Sequence, residues 1–119
     1  MRKRLLIVED SDLNRDLLAQ IFEGAYDVEL ALDGQTAVQV AAARPPDLIL
    51  MDIGLPRLSG LGAARAIRAA GAAIPIIAVS SRVMPGDKER AFDAGCDEFV
   101  AKPIDDVALT ELVERIAGR

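Results

Sequence analysis

The chain has no histidine, one cysteine and no excess of basic residues, and each shortage narrows its chemistry. Without histidine it lacks the commonest general base, metal ligand and phosphoryl carrier. Cys96 has no partner for an internal disulfide, and beside Gly95 it reads as a small buried hydrophobe rather than a nucleophile. With 14 basic against 19 acidic residues the net charge is -5. That balance argues against direct nucleic-acid binding, which needs basic surface to displace counterions from phosphates. Arg2-Lys3-Arg4 is the one basic cluster in the sequence, and three residues near a terminus read as solvated, with no role assigned. Long apolar runs are missing too. Leu5 to Val8 gives way at once to Glu9-Asp10, too short a run for a signal-peptide core or a membrane span, so a cytoplasmic protein without membrane contact is expected.

What is present suits one folded domain covering residues 1–119, since a chain of this size buries about two-thirds of its unfolded surface. The hydrophobic share of 51% with 28% charged residues is near globular averages, and no low-complexity tract interrupts it. Apolar runs of strand length alternate with segments of helical period, the pattern of βαβ units closing a parallel sheet. Strands are expected near 4–9, 26–31, 47–51, 74–79 and 97–101. Between them, Leu17, Leu18, Ile21 and Phe22 mark one helical face, and Ala37, Val40 and Ala41 mark a second. The last helix carries Leu109, Leu112, Val113 and Ile116. Asp33-Gly34 and Asp105 supply turn or N-cap chemistry, and Pro45-Pro46 stops a helix before the third strand. The middle strands are nearly continuous apolar runs, as in an α/β sheet covered by helices on both faces. The fourth helix, roughly Gly86 to Ala94, leaves only Ala91, Phe92 and Ala94 to pack, which fits either the most mobile element of the fold or simply a short solvated surface helix.

Asp52 ends the apolar run Leu48-Ile49-Leu50-Met51, where a carboxylate has no packing role. Glu9-Asp10, Ser80 and Lys102 also fall at expected strand ends. In an open parallel sheet these ends form the ligand crevice at the point where strand order reverses. Clustered carboxylates repel one another unless a cation neutralises them. A hard divalent ion suits the need: magnesium takes oxygen ligands and keeps several waters, and no histidine or thiolate pair favours zinc. With its charge balanced by magnesium and Lys102, Asp52 can attack phosphorus as a nucleophile and become an aspartyl phosphate. Blander readings exist for each residue: a loop cap for Asp52, a solvated acid for Glu9, a loop hydroxyl for Ser80, an exposed amine for Lys102. Their coincidence at one edge favours the chemical reading.

Leu6-Ile7-Val8-Glu9-Asp10, Leu48-Ile49-Leu50-Met51-Asp52, Pro75-Ile76-Ile77-Ala78-Val79-Ser80 and Lys102-Pro103 together resemble receiver domains of two-component response regulators. Asn14, Pro56, Gly60, Gly86-Asp87 and Ala94-Gly95 also stand in familiar places. Each short motif is weak alone, but four in order at matching spacing are specific, and the likeness covers essentially the whole chain. It implies a flavodoxin-like, doubly wound parallel sheet of five strands in the order 2-1-3-4-5 with five helices. It further implies that Asp52 is the phosphoacceptor and that Glu9 and Asp10 form an acidic pocket. Magnesium would be bound through Asp10, Asp52 and the Gly54 carbonyl, with Lys102 contacting the phosphoryl group. Ser80 would be the switch hydroxyl and Phe99 the aromatic whose rotamer follows it, with output through the face of the fourth helix, fifth strand and fifth helix. The family also implies a cis Lys102-Pro103 bond. Ser80 stands for a commoner threonine and Phe99 for a frequent tyrosine. Gly54 leaves the site open while Arg82 could shield it, and Ser81 is small enough to keep access.

The leading expectation is therefore a phosphoacceptor domain that takes a phosphoryl group from a histidine kinase or histidine phosphotransfer protein and then binds a downstream protein. It would act as no enzyme except on itself. An adaptor with an idle pocket is the alternative. A third reading is an aspartate-nucleophile phosphatase of the haloacid dehalogenase type, but that class needs a second aspartate two residues after the nucleophile, where this chain has Gly54.

Overall fold

The computed structural model describes residues 2–54, 59–80, 84–102 and 105–118. Pro56, Ser81, Arg82 and the expected cis bond from Lys102 to Pro103 lie outside the described residues. Among the described residues five strands, β1 (Arg4–Val8), β2 (Asp27–Ala31), β3 (Leu48–Asp52), β4 (Ile76–Ser80) and β5 (Glu98–Ala101), alternate with five helices. These are α1 (Asp12–Phe22), α2 (Gly34–Ala43), α3 (Gly60–Ala69), α4 (Asp87–Asp93) and α5 (Asp106–Ala117). All strand pairings are parallel, and the sheet order is β2-β1-β3-β4-β5. The doubly wound α/β fold expected from the sequence is the one observed.

Period-two alternation divides the strands between two cores. Leu5, Ile7, Leu48, Leu50, Ile77 and Val79 face α1 and α5, where Phe22, Leu109, Val113 and Ile116 complete the layer. Leu6, Val8, Ile49, Met51, Ile76 and Ala78 face α2, α3 and α4, whose contributions include Ala37, Ala41, Ala63, Ala64, Ile67 and Ala91. Every residue of β3 and β4 is buried, which explains their continuous apolar sequence. Each large aliphatic side chain buried here contributes about 1.5–3 kcal/mol. The helices start where their caps stand: the side chains of Ser11, Asp33, Ser59 and Asp105 accept N–H bonds from the first turns of α1, α2, α3 and α5, satisfying donors that a helix start leaves unpaired.

Four details differ from the sequence reading. β4 starts at Ile76 rather than 74 and includes Ser80, although the Pro75 carbonyl still accepts from the Ile49 N–H at 2.9 Å. Leu17 is 49% exposed, because it stands at the margin of the arc that Leu18, Ile21 and Phe22 turn inward. Phe92 is 41% exposed, so α4 packs through Ala91 rather than through its aromatic residue. The basic cluster is not simply solvated. Arg2 donates to the Glu23 carbonyl after α1, Lys3 to the Ala117 carbonyl ending α5, and Arg4 to the Arg44 and Pro45 carbonyls after α2. Three adjacent cations thus meet the negative ends of three helices.

Candidate functional site

The alternation that separates the two cores also builds the site. Glu9 follows Ile7 at an interval of two, Asp52 follows Leu50, and Lys102 follows Val100, and all three apolar predecessors belong to the α1/α5 layer. Their side chains therefore leave the sheet edge on the same side. The strands deliver them at matched height, with Val8 beside Met51, Asp52 beside Val79 and Ser80 beside Ala101.

Backbone bonds continue past the strand ends and hold these residues in place. The Glu9 N–H donates to the Ala31 carbonyl at 3.1 Å, the Ile53 N–H to the Val79 carbonyl at 3.0 Å, and the Lys102 N–H to the Ser80 carbonyl at 2.7 Å. The Asp52 carboxylate accepts from the Gly54 N–H through Oδ1 at 2.9 Å, while its Oδ2 lies 3.6 Å from Lys102 Nζ. The lysine is nearer to Glu9, whose Oε1 it meets at 2.6 Å. Glu9 Oε2 accepts from the Asp10 N–H at 3.1 Å, so both oxygens of this buried carboxylate are engaged.

Burial, and then the neighbouring Asp52 carboxylate, push the Glu9 carboxyl up from 4.5 to about 7, against the opposing pull of Lys102. Burial alone would lower Lys102, but its bond to Glu9 and the charge of Asp52 outweigh that and raise it. The ammonium and the carboxyl thus share one largely buried recess, where Lys102 offsets part of the cost of ionising Glu9 and Glu9 favours the charged lysine.

Glu9, Asp10 and Asp52 each offer an oxygen within 4.8 Å of the others. Two of the three carboxylates, Glu9 and Asp52, meet the Lys102 ammonium, and the donors are all hard oxygens, which fits magnesium and not a thiolate- or imidazole-seeking ion. With both Glu9 oxygens engaged at close range, exposed Asp10 is the most available donor, and buried Asp52 stands beside it with Oδ2 only 3.6 Å from the lysine. Ser80 is buried at the end of β4. Phe99 lies beside Ala78 and packs against the core on the α4 side, so these two residues belong to the opposite layer from the acids.

The family model of the response regulator receiver domain matches residues 5–114. The chain belongs to the response regulator receiver domain family. A curated relative, the polar-differentiation response regulator DivK of Brucella anthropi, is 36% identical over 121 aligned residues that span 99% of this chain and 98% of that protein. The receiver domain of the sensor histidine kinase PA1611 from Pseudomonas aeruginosa PAO1, solved with magnesium in its active-site cleft, is 35% identical. It superposes with a TM-score of 0.91 over the full length of both chains. The receiver domain of Saccharomyces cerevisiae Ssk1, solved with the histidine phosphotransfer protein Ypd1, is 29% identical, with a TM-score of 0.92 over 98% of this chain and 90% of that one. The protein is thus a receiver domain of two-component signalling.

Within this receiver domain the structure brings together Glu9, Asp10, Asp52 and Lys102, the residues singled out by sequence. Gly54 joins them through its N–H. Sequence reasoning missed Arg15, whose guanidinium donates to the Glu9 carbonyl at 3.1 Å. It also missed that Lys102 pairs first with Glu9. Among the described residues no helix is long and apolar enough to cross a membrane.

Proposed function

We propose that Asp52 accepts a phosphoryl group from a phosphohistidine on a histidine kinase or histidine phosphotransfer protein, and that the acyl phosphate switches a protein-binding surface. The observation that carries this reading is the convergence of Asp52, Lys102 and Glu9 on one side of one sheet edge. An oxygen of Asp52 forms a bond to phosphorus as the phosphorus–nitrogen bond to the donor imidazole breaks, and the electron pair leaves on that nitrogen. The domain catalyses this step on itself, and water later releases phosphate and restores the carboxylate. Lys102, held at 3.6 Å from Asp52 by its bond to Glu9, places an ammonium where phosphoryl oxygens arrive. Asp10, Asp52 and the Gly54 carbonyl, with Glu9 behind them, would hold magnesium, which when bound neutralises charge on the transferring group.

A phosphoryl group adds about one to two negative charges and strong acceptor oxygens. The Ser80 hydroxyl responds by donating to it, and Phe99, on the same side of the sheet, takes up the space released. The readout is a shifted population of the α4, β5 and α5 surface, where a downstream protein binds. The acidic chain acts through proteins in the cytoplasm, without direct contact to nucleic acid or membrane. The test is acid-labile phosphate uptake from acetyl phosphate with magnesium. Wild type takes up phosphate and Asp52→Asn does not. Uptake by Asp52→Asn at the wild-type level would refute the assignment.

A further inference from the structure

Arg15 lies on α1, outside the group of acids and lysine, yet its side chain is only 12% exposed. Its guanidinium reaches back to the Glu9 carbonyl at 3.1 Å and also meets the Asp12 carboxylate. Asp12 is 91% exposed, and an ion pair with so solvated a partner contributes little. The Glu9 carbonyl is therefore the contact that accounts for the placement of this partly buried arginine.

That carbonyl belongs to the same peptide unit as the Asp10 N–H. The unit is planar and rigid, and it is gripped at both ends: Arg15 holds the oxygen, and Glu9 Oε2 holds the Asp10 N–H at 3.1 Å. Glu9 itself is anchored by the Ala31 carbonyl and by Lys102. The orientation of this peptide sets the direction in which the Asp10 side chain leaves the backbone. Asp10 is exposed, so packing does not direct it.

We propose that Arg15 is a positioning residue that fixes the Glu9–Asp10 peptide and thereby tunes the affinity of the acidic cluster for a divalent cation. The proposal rests on the reading that Asp10 and Asp52 hold magnesium. Two effects of the guanidinium have opposite signs. As a positive charge it opposes a cation, whereas as a brace it aims a ligand. Removing it tightens binding if charge dominates and weakens binding if positioning does.

The test is a magnesium titration followed by amide NMR on wild type, Arg15→Met and Arg15→Lys, with hydrogen exchange at the Asp10 amide measured in metal-free protein. Loss of a group bonded directly to a ligand typically weakens metal affinity by 10–100-fold; Arg15 acts one peptide further out, so Arg15→Met should fall at the low end and bind up to about tenfold more weakly. Arg15→Lys keeps the charge but not the forked geometry, and should recover only part of that loss. The Asp10 amide should exchange faster in both variants while their melting temperatures stay near wild type. Binding by Arg15→Met as tight as wild type or tighter overturns the proposal. So does unchanged exchange at Asp10. If Arg15→Met does not fold, wild-type affinity in Arg15→Lys overturns it equally. A wild type whose site amides ignore magnesium would sink the metal reading instead, and Asp10 exchange would still decide whether Arg15 braces the turn.

Discussion

At the scale of single residues, Glu9 makes stability depend on pH. Its carboxyl is raised from 4.5 to about 7, so between those values the folded chain binds a proton that the unfolded chain has released. The resulting stabilisation is full below the unfolded value and is lost as pH rises through the folded one. Gln cannot titrate, so the stability difference between Glu9→Gln and wild type reports the titration of Glu9 together with its effect on Asp52 and Lys102, and cancels groups far from the site. In metal-free buffer the variant should gain on wild type between about pH 5 and about pH 8, by on the order of 1–3 kcal/mol, read from urea midpoints. A difference that stays flat across that interval would contradict the raised value. Asp52, Asp10 and Lys102 were legible because charges ending apolar strands have no packing reason to be there. The nearer pairing of Lys102 with Glu9 was not, since sequence places three acids at one edge without ranking their distances. Arg15 was not legible either, because a contact from a first helical turn back to a preceding strand end follows no periodicity.

Elements decide how firmly the nucleophile is held, and the junction of β3 with α3 shows it. Gly60 opens α3 directly against the strand end. A Cβ there would stand 2.3 Å from the Asp52 carbonyl oxygen and 2.6 Å from the Ile53 Cα. These are backbone atoms, so relief requires α3 or the end of β3 to move. Gly60→Ala should therefore destabilise by about 1–3 kcal/mol, as overpacking does, and should slow phosphoryl uptake at Asp52. Gly24→Ala is the matching control. A Cβ at Gly24 meets nothing within 4 Å, so its urea midpoint should stay near wild type. Equal midpoints for the two variants would show that the junction yields freely. Strand and helix positions were readable from periodicity and caps, as Asp33 and Asp105 illustrate. Their edges were less so. Ser80 extends β4 through its carbonyl bond to the Lys102 N–H, a backbone matter to which its polar side chain gives no clue. The exposure of Leu17 and Phe92 likewise depends on helix orientation, which sequence spacing alone leaves free to rotate.

Across the whole molecule, parallel strands place all their carboxyl ends at one edge, so a chain of net charge -5 concentrates three of its acids within one small volume. Alternating composition announces an α/β sheet, but strand order does not follow from periodicity. It was legible only through the family resemblance of motifs at strand ends. The crowding of carboxylates then links a local site to global stability. A ligand that binds the folded chain and not the unfolded one stabilises it by RT ln(1 + [L]/Kd), about 2.7 kcal/mol at a hundred times Kd. Magnesium chloride should accordingly raise the melting temperature, continuing to rise with the logarithm of concentration once the site is filled. Sodium chloride at matched ionic strength should not reproduce the rise, since screening acts on the whole acidic surface and not on one cluster. Asp10→Asn removes an exposed carboxylate charge and one of its two oxygens without emptying any core space, so it should remove most of the magnesium dependence. Chelation with EDTA should return wild type to its metal-free midpoint. The same magnesium response in Asp10→Asn as in wild type would place the ion elsewhere on the surface and separate it from Asp52.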